Sequence, residues 1–328
     1  PPAEDAPPPP EGAMVLAPPE EHPDPEAPDD APGAPGTGNE PLKEPEGSPG
    51  PPAVLGVGAS PPAGDGHGIG GDGIGDGSGS RTRGKAGALR RYGGTGATED
   101  AVSRGLQWLA AHQDLDGGWS AAGFNLHCHH FTQCAGKGLE EFNTGLTALC
   151  ALAFLGAGQA PGGPGPYGRI VERALLKIVS GQLPNGALGL RGDKYFYNHA
   201  IATFALCEAV SYGRDARFVK PAVAAIGFSA AAQQSGGGWD YTATATGRND
   251  LSITIWQVMA FKAAEAGGLP VPEEMMQRLR QFLRSAIRPG GEAVYADRGI
   301  AEGRRGVGMS AAALLSHLYI GASPKSPW

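Results

Sequence analysis

The sequence predicts an all-α chain of four helical hairpins preceded by a long tail, and three observations lead there. Residues 1 to 80 hold 20 of the 30 prolines and 17 of the 54 glycines, too many for the segment to bury the apolar surface that would offset the entropy of ordering it. From Glu99 onward apolar residues recur at three- and four-residue spacing, as in Leu106, Leu109 and Ala110, and β-branched runs with strict alternation are absent. Within that helical region a single skeleton of residues occurs four times.

The expected organisation is a disordered tail over residues 1–92, a repeat domain over 93–322 and a short C-terminal tail over 323–328. The tail is Pro/Glu/Asp/Ala-rich to about Pro52, which predicts an extended, self-repelling chain, and glycine-rich from Gly64 to Gly79. Gly66, Gly68 and Gly71 have the spacing of a dinucleotide-binding loop, but Asp72-Gly73-Ile74-Gly75 cannot open the helix such a loop requires. A calcium loop around Asp72 and Asp76 fails as well, because its third position is Ile74 and its twelfth is Arg83. Arg81, Arg83, Lys85, Arg90 and Arg91 read as a solvated junction.

Charge divides with the domains. The first 80 residues carry fifteen acids against the single Lys43, so the net charge of -7 conceals an acidic tail on a mildly basic body. That balance argues against a dedicated nucleic-acid binder, which concentrates positive charge in one patch. No run of 18 apolar residues is present to span a membrane as a helix. Four cysteines in 328 residues do not make a disulfide framework. The first residue is Pro1, so an upstream piece is expected, and the compartment stays open between bacterial cytoplasm and tethering through an upstream anchor.

Eight helices are expected, near 98–113, 143–156, 168–181, 197–212, 215–233, 250–266, 272–287 and 307–320. The repeated skeleton is clearest at Arg104-Gly105, Trp108-Leu109, Gln113, Gly117 and Trp119. It returns around Phe228 with Gln233, Gly237 and Trp239. A decayed copy around Lys177 keeps Arg173, Ile178, Gln182, Gly186 and Leu188, and one around Phe282 keeps Arg278, Leu283 and Gly291. Physically, the glutamine amide can satisfy free backbone groups at the end of the outer helix. The glycine permits a tight turn, and the tryptophan folds back to bury a large surface. The tryptophans are therefore expected to be staples between hairpins.

This skeleton closely resembles the QW motif of the terpenoid cyclases and the wider prenyltransferase and squalene-oxidase repeat family. The partner segments fit too: Tyr197-Asn198-His199-Ala200, Asp250 to Met259, and Gly308-Met309-Ser310-Ala311. The chain looks like a bacterial squalene-hopene-cyclase-like repeat protein with a Pro-rich tail, over roughly residues 92 to 321. The resemblance implies an α/α toroid, here partial, whose central cavity is lined from the N-terminal ends of the inner helices. At those ends stand Asn143, Thr144, Tyr197, His199, Asp250, Ser252, Thr254, Met309 and Ser310. Toroids of the family close with about five to seven hairpins, so four imply either a truncated sequence, the preferred expectation, or an open crescent able to self-associate through its flank.

The resembled cyclases use an acidic D-x-D-D motif to protonate an alkene, and this chain lacks it. Asp250 stands at a comparable kind of position, with an N-cap as its plainer reading; His199 can serve as acid, base or ligand, or as a hydrogen-bonded structural residue. The related protein prenyltransferases hold zinc with Asp, Cys and His, and no D-x-C is present to carry that triad over. A second concentration of ligand chemistry is His127-Cys128-His129-His130 with Cys134, where soft sulfur and imidazole suit zinc. A set of Cys128, His130 and Cys134, a Cys128–Cys134 disulfide and simple loop packing all remain open. Cys150 and Cys207, mid-helix among Ala and Leu, read as buried inert thiols.

Two functions emerge as expectations. One is a cavity binding an isoprenoid or other apolar ligand, as a terpene cyclase/isomerase or prenyltransferase-like enzyme would, with Asp250 and His199 as its polar groups. The other is a non-catalytic repeat scaffold for a protein or peptide partner. They differ in whether Asp250 and His199 face one enclosed cavity or pack into helix ends.

Overall fold

The computed structural model describes residues 94–128, 134–190, 192–299 and 302–321. The tail over 1–92 and the last residues lie outside them. Eight α-helices occupy the described residues: α1 Gly96–Ala111, α2 Asn143–Gly156, α3 Gly168–Ser180, α4 Tyr195–Ser211, α5 Ala216–Ala231, α6 Leu251–Ala266, α7 Glu273–Ala286 and α8 Val307–Tyr319. Short 3-10 turns, Phe124–His127 and Glu140–Phe142, precede α2. Strand structure among the described residues is limited to isolated bridges such as Trp239–Asp250 and Ile287–Ala293.

Each helix start has a local cause. α1 begins two residues before the expected position because Thr95 and Thr98 cap one another reciprocally. Asp215 caps α5 by accepting from Arg217 N–H, and Asp250 caps α6 by accepting from Ser252 and Ile253 N–H. α7 starts after Pro272 with Glu273 and Glu274 in its first turn, where negative charge favours the helix N-terminus.

The helices form two layers. α2, α4, α6 and α8 pack in succession against one another, while α3 backs α2 and α5 backs α4. Composition follows layer. Fourteen of the seventeen residues of α4 are buried, so it is enclosed nearly all round. α3 and α7 bury one stripe each, Val171, Ala174, Leu175 and Ile178 in the first and Met275, Met276, Leu279, Phe282, Leu283 and Ala286 in the second.

The repeated skeleton builds one turn four times. The N–H groups of Asp114, Leu183, Gln234 and Arg288 donate to the carbonyls of Gly118, Ala187, Gly238 and Glu292 at 2.8–2.9 Å. Gly117, Gly186, Gly237 and Gly291 all take positive φ, between 87° and 94°. At the first three a Cβ would fall 2.1–2.6 Å from the carbonyl oxygen of Arg173, Ala224 or Arg278 on the next outer helix. Only glycine lets the turn approach that closely.

Side chains tie the turns together in the same register. Gln113, Gln182 and Gln233 each donate to their own turn glycine, Gly117, Gly186 or Gly237, and to a carbonyl of the next outer helix, Ile170, Pro221 or Met275, at 2.9–3.1 Å. Trp119 and Trp239 are buried, and their indole N–H groups donate to Leu109 and Ser229 carbonyls at 2.9 and 2.8 Å. Trp119 packs on Phe154 and Trp239 on Phe261, equivalent positions of α2 and α6. Both tryptophans act as internal staples.

Candidate functional site

The densest polar cluster among the described residues gathers at the N-terminal end of α6. Asp250, fully buried, caps that helix and pairs through Oδ2 with Arg248 Nη2 at 2.7 Å. Arg248 also pairs with Asp240 and stacks its guanidinium over the Tyr241 ring, 4.7 Å from its centre. Ser252 Oγ donates to Asp250 Oδ1, and Tyr197 Oη lies 2.5 Å from Ser252 Oγ. Tyr295 Oη stands 3.0 Å from the same Oγ and 3.5 Å from Tyr241 Oη.

Two half-buried phenols, Tyr197 and Tyr295, thus meet on one serine beside a carboxylate, and a third, Tyr241, reaches them through Tyr295. Burial, with the negative Asp250 nearby, pushes the Tyr197 and Tyr241 hydroxyls above the ordinary phenol range, so both stay protonated. Arg248 is held charged against its burial by Asp250 and Asp240. The cluster can donate hydrogen bonds and orient a polar group, while the Asp250 carboxylate is occupied by Arg248, Ser252 and the helix it caps.

His199 lies elsewhere in the repeat pattern. It is fully buried; its Nδ1 accepts from Leu188 N–H at 3.2 Å and its Nε2 stands 3.0 Å from Ser229 Oγ. Burial pulls its pKa down to about 3, which keeps the imidazole neutral. The equivalent positions of the other inner helices do the same work: Thr147, Thr254 and Ser310 accept from Trp119, Trp239 and Ala293 N–H at 3.0, 3.2 and 3.1 Å. His199, Thr254 and Ser310 therefore fasten turns to inner helices, and His199 and Asp250 belong to separate sets of partners. Of the remaining expected lining residues, Met309 packs against the core, and Tyr197 and Ser252 are in the phenol cluster.

Thr144 lines a cavity of about 510 Å³ at the start of α2, walled also by Asp114, Asp116, Glu140, Glu141 and Lys177. Its character is acidic. Lys177 is paired with Asp116 at 2.6 Å, and that hydrogen bond, with one from Gly118 N–H, lowers the Asp116 pKa.

Of the expected metal set, Cys128 and Cys134 meet and His130 lies outside the described residues. Cys134 N–H donates to Cys128 Sγ at 3.3 Å, and both thiols are free. The residue that joins them is His112, whose Nε2 is 3.5 Å from Cys128 Sγ. The bond from Cys134 N–H and the hydrogen bond shared with His112 Nε2 lower the Cys128 pKa, while the Cys128 thiol raises that of Cys134. Cys150 and Cys207 are buried, as expected of inert thiols, and burial raises the Cys150 pKa to about 12.

Sequence reasoning missed His112, Arg248, Asp240, Tyr241 and Tyr295. Aligning the four repeats exposes three of them. His112 occupies the place of Gly181, Ala232 and Ala286, and Tyr241 and Tyr295 share one position where the earlier repeats carry Ala121 and Leu190. Arg248 and Asp240 carry no such signal, because their pairing is a tertiary contact across a loop. Neither a scan against protein-family models nor a search of curated proteins finds a match for this chain.

Proposed function

We propose that the domain is a terpenoid-cyclase and prenyltransferase-like repeat unit, a portion of an α/α toroid, that works as a non-catalytic binding scaffold. One observation carries the choice between scaffold and enzyme: the two side chains suited to acid–base chemistry, Asp250 and His199, are both engaged in holding helix ends and turns together. The fourfold turn and the succession of inner helices support the repeat reading. The ligand face is the rim formed by the N-terminal ends of those helices, and its occupant is a basic segment of a protein or peptide. The acid-walled cavity beside α2 favours a cation, since its single lysine is already paired.

The isoprenoid reading keeps one supporting observation, the half-buried phenols of Tyr197, Tyr241 and Tyr295 around Asp250. Fluorescence anisotropy with a short Lys/Arg-rich peptide and its acidic counterpart separates the two. The scaffold reading expects salt-sensitive binding of the basic peptide alone, weakened by about fivefold or more in Glu140→Gln/Glu141→Gln. Incubation with squalene and isoprenoid diphosphates is expected to yield no product. A cyclised or transferred product that disappears in Asp250→Asn would replace the scaffold with an enzyme.

A further inference from the structure

The skeleton is followed in the first repeat by its longest connection. From Trp119 to the start of α2 at Asn143 the chain runs 24 residues, against 12 from Trp239 to Leu251 and 7 from Leu188 to Tyr195. A connection of that length needs something to hold it to the scaffold. Its two cysteines come back to the C-terminal end of α1, where His112 stands in place of the small residues of the other repeats.

The three side chains have the geometry of a shared ion. One ligand atom from each of His112, Cys128 and Cys134 falls within 4.8 Å of the other two. Zinc bonds of about 2.0–2.1 Å to nitrogen and about 2.3 Å to sulfur, set tetrahedrally, place N and S about 3.5 Å apart and two sulfurs about 3.8 Å apart. The observed His112 Nε2 to Cys128 Sγ separation of 3.5 Å is such an edge.

The surroundings prepare the same chemistry. His112 Nδ1 is 2.7 Å from the Trp108 carbonyl, an acceptor only, so Nδ1 carries the proton and Nε2 presents its lone pair to the sulfurs. The imidazole is locked by stacking on Trp108, with ring centres 3.9 Å apart, and by the edge of His127, itself held at 2.6 Å by Asp114. The N–H of Cys134 on Cys128 Sγ is an outer-shell bond of the kind that supports a thiolate ligand. Two sulfurs and one imidazole select zinc over magnesium or calcium.

We infer that His112, Cys128 and Cys134 form a zinc site that clips the connection after Trp119 to the end of α1. The site is independent of the scaffold reading, although Asp114, which holds His127, also walls the acidic cavity.

Zinc analysis of the full chain, purified from zinc-supplemented culture and gel-filtered under reducing conditions, tests it. The expected content is about one zinc per chain. Cys128→Ser and Cys134→Ser are each expected to lower retained zinc by about tenfold or more, and Cys207→Ser, deep in α4, to leave it unchanged. His112→Asn is the sharper variant, because its amide can keep the bond to the Trp108 carbonyl while removing the Nε2 ligand. It is expected to keep the far-UV circular dichroism and lose the zinc. Cobalt in place of zinc should give thiolate-to-metal charge-transfer absorption that either cysteine variant diminishes. Wild-type protein with less than about 0.1 zinc per chain, full zinc retention in His112→Asn, or an unreduced chain lighter by the two hydrogens of a Cys128–Cys134 disulfide would each overturn the site.

Discussion

The first and third repeats share the Gln, Gly and Trp of the skeleton and differ in the segment after it. Gln113 and Gln233 bridge to the next outer helix in one register, and Trp119 and Trp239 seat against equivalent phenylalanines. Beyond the tryptophan the likeness ends. The first repeat goes on to a long segment with two thiols returning to His112, the third to a short one with Arg248 buried between Asp240 and Asp250 against the Tyr241 ring. The staple determines where a hairpin sits, and the connection after it determines what chemistry that hairpin presents.

The largest effects should come from the staples. Trp239→Ala is expected to cost about 3–5 kcal/mol in urea unfolding, and Trp119→Ala less, because Trp119 also borders the acidic cavity. Equal losses would mean that the cavity gives Trp119 no room to relax.

His199 offers a pH handle on the second repeat. Its folded pKa of about 3 lies below the unfolded value, so the unfolded state binds the extra proton as pH falls. Its contribution is complete above pH 6.5 and is lost progressively from there toward pH 3. By pH 4 wild type should have lost about 3 kcal/mol more than His199→Asn, whose side chain does not titrate. Parallel stability–pH curves for the two proteins would show that the imidazole is not buried neutral.

Two glycines sharpen the contrast between complete and decayed repeats. Gly237→Ala meets both a positive φ and the Arg278 carbonyl at 2.2 Å, and should cost about 3 kcal/mol or more. Gly291 also has a positive φ, with no atom of the described residues within 4 Å of an added Cβ, so Gly291→Ala should cost only about 1 kcal/mol. If the two substitutions cost the same, the close approach to the next helix contributes nothing.

The smallest effect is a gain. Among the described residues, neither polar atom of the fully buried Gln257 amide has a hydrogen-bond partner, so Gln257→Met should raise stability by about 1 kcal/mol in the same urea titration. A loss would point to a polar contact that the replacement breaks.

The helices and the fourfold turn were legible in the sequence because they rest on local rules. Apolar spacing, capping residues such as Asp215 and Asp250, and glycine at a left-handed turn are all readable along the chain. Asp250 was readable as a helix cap for the same reason. Its charge balance was not, because Arg248 reaches forward to Asp250 and back to Asp240 in a loop without a periodic pattern. The thiols stood out by composition, but His112 hid as an ordinary helix-end residue. It becomes visible only when the repeats are aligned and the other three show Gly or Ala. His130, grouped with the thiols on sequence proximity, lies outside the described residues.

The central claim, that Asp250 serves the architecture, is tested most directly by a double-mutant cycle between Asp250→Asn and Arg248→Met in equilibrium urea unfolding. A structural carboxylate predicts that either single change destabilises by about 3 kcal/mol or more, since it removes one partner of a buried ion pair. The predicted coupling between them is about 2 kcal/mol. Single changes that leave stability untouched, with coupling below about 0.5 kcal/mol, would contradict the account and return Asp250 to the groups kept for chemistry.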